Sequence, residues 1–317
     1  MQGQPAKPAP VYKEAPFLKR LVIDFQKHKY KYLLILPIIV YLILFCYKPM
    51  YGLVIAFKNY RPTRGIWGSN WVGFMWFETF FKDPYFWRLL RNTFTISALT
   101  ILFGFPAPIL LALLLNEVRN NKFKRTVQTI TYMPYFISLV VTCSLLKIYC
   151  MENGLFPQIM ELFGAQRQNL LANPKYLYPI YILSDIWQGI GWNSIIYLAA
   201  LSGIDQEQYE AARIDGANRL QQVIHITLPG LMPTITILFI LRMGNILNVG
   251  YEKILLLYNP STYEVADVLS TYTYRTGLEN QQYYLSTAVG LFNTMVNVVF
   301  LLITNYISKK STESGLF

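Results

Sequence analysis

Six long apolar runs, at 32–50, 94–115, 129–148, 178–201, 231–249 and 284–307, decide what this chain can become. Each approaches the about 20 residues that cross a bilayer core as a helix. Inside hydrocarbon every backbone amide must find its partner within the segment, which helices achieve. The expected fold is therefore an all-α integral membrane protein with six transmembrane helices. Composition agrees: 54% of the 317 residues are hydrophobic against 14% charged, and mean hydropathy is +0.31, outside the range of ordinary soluble domains.

The formal charge of +11 raises nucleic acid as a partner. Lys and Arg instead fall in short segments bordering the apolar runs, the arrangement of a positive-inside topology, so no nucleic acid is expected. Before the first run stand Lys7, Lys13, Lys19, Arg20, Lys27, Lys29 and Lys31 against Glu14 and Asp24, which places the N-terminus in the cytoplasm. Six spans return the C-terminus to the same side, where Lys309 and Lys310 follow the last run. The expected division is a basic tail at 1–31, a six-helix membrane domain at 32–307 and a second tail at 308–317. A signal peptide fits poorly, because the charged region is long and no small-residue cleavage site follows the run. Residues 16–30 could instead lie as an amphipathic helix on the inner surface. Cys46, Cys143 and Cys150 have no metal-ligand spacing, and no metal site is expected.

The first outer loop, 51–92, is rich in Trp and Phe (Trp67, Trp71, Trp76, Phe77, Phe80, Phe81, Phe86, Trp87), which suggests an interfacial helix before the second span. Polar residues inside the runs say more, because each must find a partner or face water. Asp185, Gln188, Gly189, Trp192 and Asn193 share one face of the fourth run at helical spacing. Arg242, Asn245 and Asn248 are spaced by three in the fifth, and Asn293 and Asn297 lie one turn apart in the sixth. Interhelical hydrogen bonds would explain any one of them. Three such stripes together point to a shared aqueous or ligand-lined path, in which Asp185 and Arg242 could pair.

One polar segment of some length, 205–229, interrupts the apolar second half. Residues 206–214 are good helix formers, Gly216 suits a left-handed C-terminal cap, and Asn218 with Gln221 has capping-box spacing before Pro229 interrupts the second helix. Glu210-Ala211-Ala212, three residues ending at Asp215, Gly216, nine residues, Ile226, one residue, Leu228-Pro229 resembles the EAA signature of bacterial ABC importer membrane subunits. Segments 245–260, 264–277, 287–292 and 47–60 are similar to the carbohydrate-uptake class and, within it, to the LplB-like branch of polysaccharide and oligosaccharide permeases. Leu269-Ser270 departs from the Ile-Asp pair expected there.

The resemblance implies a type I importer permease fold in a bacterial plasma membrane, crossing it several times. It makes 202–230 a coupling loop whose Glu210, Ala211, Ala212, Asp215, Gly216, Ile226, Leu228 and Pro229 engage an ATPase. It also implies a second homologous permease, two ATP-binding subunits, an extracytoplasmic solute-binding protein, the lipid bilayer and an oligosaccharide substrate; the polar stripes themselves offer Asp185, Gln188, Trp192, Asn193, Arg242, Asn245, Asn248, Asn293 and Asn297 as path residues. No G-x-x-x-x-G-K-[ST] occurs, so ATP and Mg are expected on the partner ATPases and no cofactor on this chain. With only His28 and His225 and no His, Cys and acid constellation, the chain does not read as an enzyme. The competing functions are a self-contained channel or secondary transporter, and an importer permease for a non-sugar solute.

Overall fold

The computed structural model describes residues 17–312 and 315–316. Most of the basic tail expected at 1–31, including Lys7, Lys13 and Glu14, lies outside the described residues, as do 313, 314 and 317 of the C-terminal tail. The chain divides into a first unit ending at Val54 and a second beginning at Ile55.

In the first unit a single helix, α1 (Phe17–Tyr41), covers both the expected interfacial segment and the start of the first apolar run. The backbone leaves helical geometry at His28 (φ −118°, ψ 24°). The Tyr32 hydroxyl donates to Asp24 across that kink at 2.5 Å. A π turn at Leu42–Tyr47 then leads into Lys48–Met50.

The regular elements of the second unit are all helices among its described residues, apart from one isolated antiparallel bridge between Lys58 and Trp71. Its elements are α2 (Met75–Phe81), α3 (Phe86–Glu117), α4 (Asn121–Phe136), α5 (Leu139–Cys150), α6 (Leu155–Leu162), α7 (Pro174–Ser202), α8 (Gln206–Ile214), α9 (Arg219–Met243), α10 (Tyr251–Leu257), α11 (Leu269–Tyr274) and α12 (Tyr283–Thr312). Four helices are long and apolar enough to cross a membrane: Asp24–Phe57, α3, α9 and α12. The third apolar run is a bent pair, because α4 and α5 meet at 97° across Ile137 and Ser138. Ser138 caps α5, accepting from the Val141 amide at 3.3 Å. The fourth run is α7, whose 29 residues are continuous but carry the polar stripe. In the fifth, the helix stops at Met243 rather than at 249, and 244–250 is non-helical.

Three prolines sit within long helices at the end of a π turn, and the same device accommodates each. Proline removes one amide and crowds the carbonyl four residues back. Lys48 donates to the Ile43 carbonyl before Pro49, Phe105 to Thr100 before Pro106, and Leu228 to Val223 before Pro229. The i to i−5 bond widens the turn, and the helix continues. Pro229 was expected to interrupt the second helix of the polar segment; instead α9 runs unbroken through it from Arg219 to Met243.

The aromatic outer loop divides in two. Phe77, Phe80 and Phe86 are buried, with Phe80 and Phe86 packed among Leu89, Leu247, Leu269, Tyr272, Leu285 and Val289, while Trp67, Trp71 and Trp87 remain exposed. The interfacial helix expected there is the short α2, anchored by Trp76, whose indole donates to the Lys58 carbonyl at 3.0 Å and stacks on Tyr284. Close packing of α7 on α4 depends on Gly191: a Cβ there would lie 2.1 Å from the Thr131 carbonyl oxygen.

Candidate functional site

Two regions carry the chemistry. The first is a cleft where α7, the end of α9 and the π turn of α3 meet. It consists of two adjoining cavities of about 270 and about 580 Å³, both lined by Thr100, Asp185, Arg242 and Asn245. Tyr181 and Asn248 line the smaller; Trp192 and Asn193 line the larger. The widened turn at Thr100–Gly104 contributes Thr100 and Gly104 to this wall, so the irregular backbone lies where it borders a cavity.

The charges do not pair as the sequence suggested. Asp185 accepts from Lys253 Nζ at 3.3 Å, not from Arg242. Lys253 comes from α10, is buried, donates also to the Tyr181 carbonyl at 3.1 Å and lies 4.7 Å from the Tyr181 ring centroid. Burial demands a partner for the ammonium, and Asp185 is the carboxylate within reach. Arg242 is exposed in the cleft and makes no hydrogen bond or ion pair among the described residues.

The asparagines form a chain of amides. Asn245 Nδ2 donates to the Leu241 carbonyl at 3.1 Å, and Asn248 Nδ2 donates to Asn245 Oδ1 at 3.0 Å. Asn293 and Asn297 both donate to Asn248 Oδ1, at 2.9 and 3.3 Å, and Asn297 Oδ1 accepts from the Leu247 amide. Asn293 and Asn297 therefore bind α12 to the non-helical segment after α9 and lie outside the cavity walls. Gln188 also lies outside them, donating to the Ile137 carbonyl at 3.0 Å where α4 breaks into α5. Trp192 has one face stacked on Tyr135 (4.6 Å, 6°), with Phe136 edge-on.

Sequence reading missed Lys253, Tyr181, Thr100 and Tyr135. A lone Lys253 before Ile254-Leu255-Leu256-Leu257 was the available signal. It also missed Asp267, which is fully buried. Its carboxylate accepts from Arg275 at 2.8 and 3.2 Å, from Arg88 at 3.3 Å and from Thr271 at 2.8 Å. The hydrogen bond to Asp267 raises the Arg275 pKa further. With Asn92 donating to the Glu264 and Asp267 carbonyls, this group ties the start of α3 to the segment before α12.

The second region is the helical hairpin at 205–229. Asp205 caps α8 by accepting from the Glu207 amide at 3.0 Å. Gly216 adopts φ +80°, the left-handed cap conformation, and the Ala217 and Gly216 amides donate back to Ala212 and Arg213 in a Schellman closure. Asn218 and Gln221 form the capping box that starts α9. Tyr209 and Thr227 join the arms at 3.0 Å, and Arg219 pairs with Glu117 at the end of α3 at 3.2 Å. Glu210, Ala211 and Asp215 are exposed, Ala212 and Ile226 are half-buried, and Leu228 and Pro229 face outward. Ile214 is 87% exposed and Leu220 68%, a large amount of bare apolar surface for a short polar hairpin.

A broken helical membrane bundle, a polar cleft and an outward hairpin on one unbroken helix define a class. The chain belongs to the family of binding-protein-dependent transport system inner membrane components, whose model matches residues 104–313. It is 45% identical to the polygalacturonan/rhamnogalacturonan transport system permease protein YteP of Bacillus subtilis (strain 168), over 99% of this chain and 98% of that one. It is 43% identical to protein LplB of the same organism, with 92% of each chain covered. Among solved structures it superimposes with a TM-score of 0.85, at 44% identity, on a chain of a bacterial ABC transporter involved in the import of the acidic polysaccharide alginate, covering 92% of this chain and 99% of that one. A bacterial alginate ABC transporter in complex with an alginate pentasaccharide-bound periplasmic protein gives 0.86 at 43% identity, covering 94% and 100%.

Proposed function

We propose that this chain is the permease subunit of an ATP-driven importer of oligosaccharides, in a bacterial cell membrane. Six crossings with both termini cytoplasmic, a tail at 1–31, a membrane domain at 32–307 and a tail at 308–317 complete the reading, with α7 and the bent α4–α5 pair as crossings beside the four long helices. The partners are a second homologous permease, two ATP-binding subunits that carry ATP and Mg, and an extracytoplasmic solute-binding protein. Relatives named for polygalacturonan, rhamnogalacturonan and alginate support a saccharide cargo.

The observation that carries the mechanism is the continuity of α9. One helix of 25 residues, about 37 Å at 1.5 Å per residue, joins the hairpin at Asn218 to Arg242 in the cleft. Movement imposed on the hairpin by an ATPase reaches the cleft without crossing a loop. On this reading Ala211 and Ala212 allow close approach of the ATPase groove, Glu210 and Asp215 offer charge to it, and Ile214 and Leu220 supply apolar contact. Ile226, Leu228 and Pro229 set the angle at which the hairpin enters the membrane. The cleft opens alternately to each side as α9 tilts.

The test is uptake of oligosaccharide by membrane vesicles carrying the assembled transporter, with and without an inactivating substitution in the ATPase subunits. Uptake should vanish with hydrolysis. Persistence would show a self-contained channel or secondary transporter.

A further inference from the structure

Arg242 is the one strong donor in the cleft left without a partner among the described residues. The carboxylate of Asp185 is engaged by Lys253, whose ammonium is buried. Asn245 Nδ2 donates to the Leu241 carbonyl, Asn248 Nδ2 donates to Asn245 Oδ1, and Asn248 Oδ1 accepts from Asn293 and Asn297. Asp185 and Arg242 are the charged residues that line the two cavities, and Lys253, buried behind the wall, offsets Asp185, so the charge left uncompensated in the cleft is that of Arg242. An arginine within an apolar helix is retained where it meets water, a partner or a ligand, and this one has no protein partner among the described residues. Its planar fork suits a carboxylate, held by two parallel N–H bonds. Trp192, on the same cleft, keeps one ring face on Tyr135 and remains 40% exposed, leaving surface for the apolar face of a pyranose. Asn193 lines the same wall and makes no hydrogen bond among the described residues, so its amide is available for a sugar hydroxyl.

We infer that this permease itself holds a carboxylate-binding subsite at Arg242, and that the cargo it recognises is an acidic, uronate-bearing oligosaccharide. The Asp185–Lys253 pair serves that subsite by keeping the nearby carboxylate from occupying Arg242. The inference rests on the importer reading above and adds the chemical class of the substrate and the half of the transporter that reads it.

The test uses the complete transporter in proteoliposomes with its binding protein, offered trigalacturonate or trimannuronate and, in parallel, their methyl esters, which keep the sugar and remove the charge. Arg242→Gln should raise the half-saturating concentration for the acid by about tenfold to a hundredfold, the loss of one charge-assisted pair. Arg242→Lys should restore part of it, since the charge returns without the fork, and the wild type should prefer acid to ester. Membrane levels of each variant serve as the folding control. Acid uptake unchanged in Arg242→Gln, or Arg242→Lys no better than Arg242→Gln at equal membrane levels, overturns the subsite. Wild-type uptake of neutral trisaccharide but of no uronate overturns the subsite alone; ATP-dependent uptake of no saccharide at all overturns the importer reading beneath it.

Discussion

The Lys253–Asp185 pair is asymmetric, and its two ends should respond differently to removal. The lysine side chain is 4% exposed and the aspartate 48%. Stranding a charge out of water by removing its partner costs about 3–5 kcal/mol. Leaving a charge that water can reach costs about 0–1 kcal/mol, the range of an exposed pair. Asp185→Ala strands the buried ammonium and should fall in the first range. Lys253→Met leaves a carboxylate facing the cleft, fills the place of the lysine stem, and loses the hydrogen bond to the Tyr181 carbonyl, for a total of about 1–2 kcal/mol. Removal of the more exposed partner is thus the more damaging change, by about 2 kcal/mol. The assay is the temperature at which the solubilised transporter loses its monodisperse chromatographic peak, where about 2 kcal/mol corresponds to roughly 4–8 °C for a unit of this size. The double variant Asp185→Asn with Lys253→Met should be more stable than Asp185→Asn alone. If Lys253→Met is the worse single change, or the double variant the worst of all, the difference in burial does not govern the pair and this reasoning fails.

Three further changes test other parts of the fold. Gly191→Val places a side chain against the Thr131 carbonyl, 2.1 Å from its first carbon, so α4 cannot seat on α7; the variant should fail to reach the membrane in amounts detectable by immunoblot. Gly216→Asp puts a side chain at φ +80°, costing about 1–2 kcal/mol in the hairpin alone; protein levels should hold while transport per ATP hydrolysed falls. Asp267→Ala strands Arg88 and Arg275, each 28% exposed, and should destabilise by about 3 kcal/mol, the lower end for a broken buried pair, measured as a drop in unfolding temperature.

Legibility from sequence followed the range of the interactions. Within the hairpin the Gly216 cap and the Asn218–Gln221 box were readable, because each acts within a few residues of itself, whereas the Asp205 cap was missed and the passage of α9 through Pro229 was not foreseen. The all-helical class was readable because a bilayer leaves few alternatives. The cleft was half readable. Helical spacing placed Asp185, Trp192 and Asn193 on one face, and Arg242 and Asn245 in the same cleft, but spacing cannot say which charge meets which across helices. Lys253 reaches Asp185 over 68 positions of sequence, and Asp267 reaches Arg88 over 179. No local pattern carries such a pairing. For the same reason Gln188, Asn293 and Asn297 shared the stripes of the cleft residues yet serve to fasten helices together.

The π turns connect these observations. A helix that carries force from the hairpin to the cleft must be continuous, but Pro229 sits between the two and removes an amide from its ladder. The turn at Val223–Thr227 resolves the conflict, because the Leu228 amide reaches back to Val223 and only the local diameter changes. The cost is stiffness at that point, since Pro229 leaves the ladder one hydrogen bond short. Thr227, inside the turn, is held by Tyr209 from the opposite arm. The hairpin therefore grips α9 at this turn, with 16 helical residues from Leu228 to Met243, Pro233 among them, beyond it. On the mechanism proposed above, a displacement of α8 would become a tilt of that longer segment about Val223–Thr227, with the largest excursion at its far end, where Arg242 lies. Tightening the turn by Pro229→Ala, which restores the missing amide, should leave the hairpin docked but reduce the tilt per ATP. Transport falling while hydrolysis continues would support this lever, and unaltered coupling would refute it.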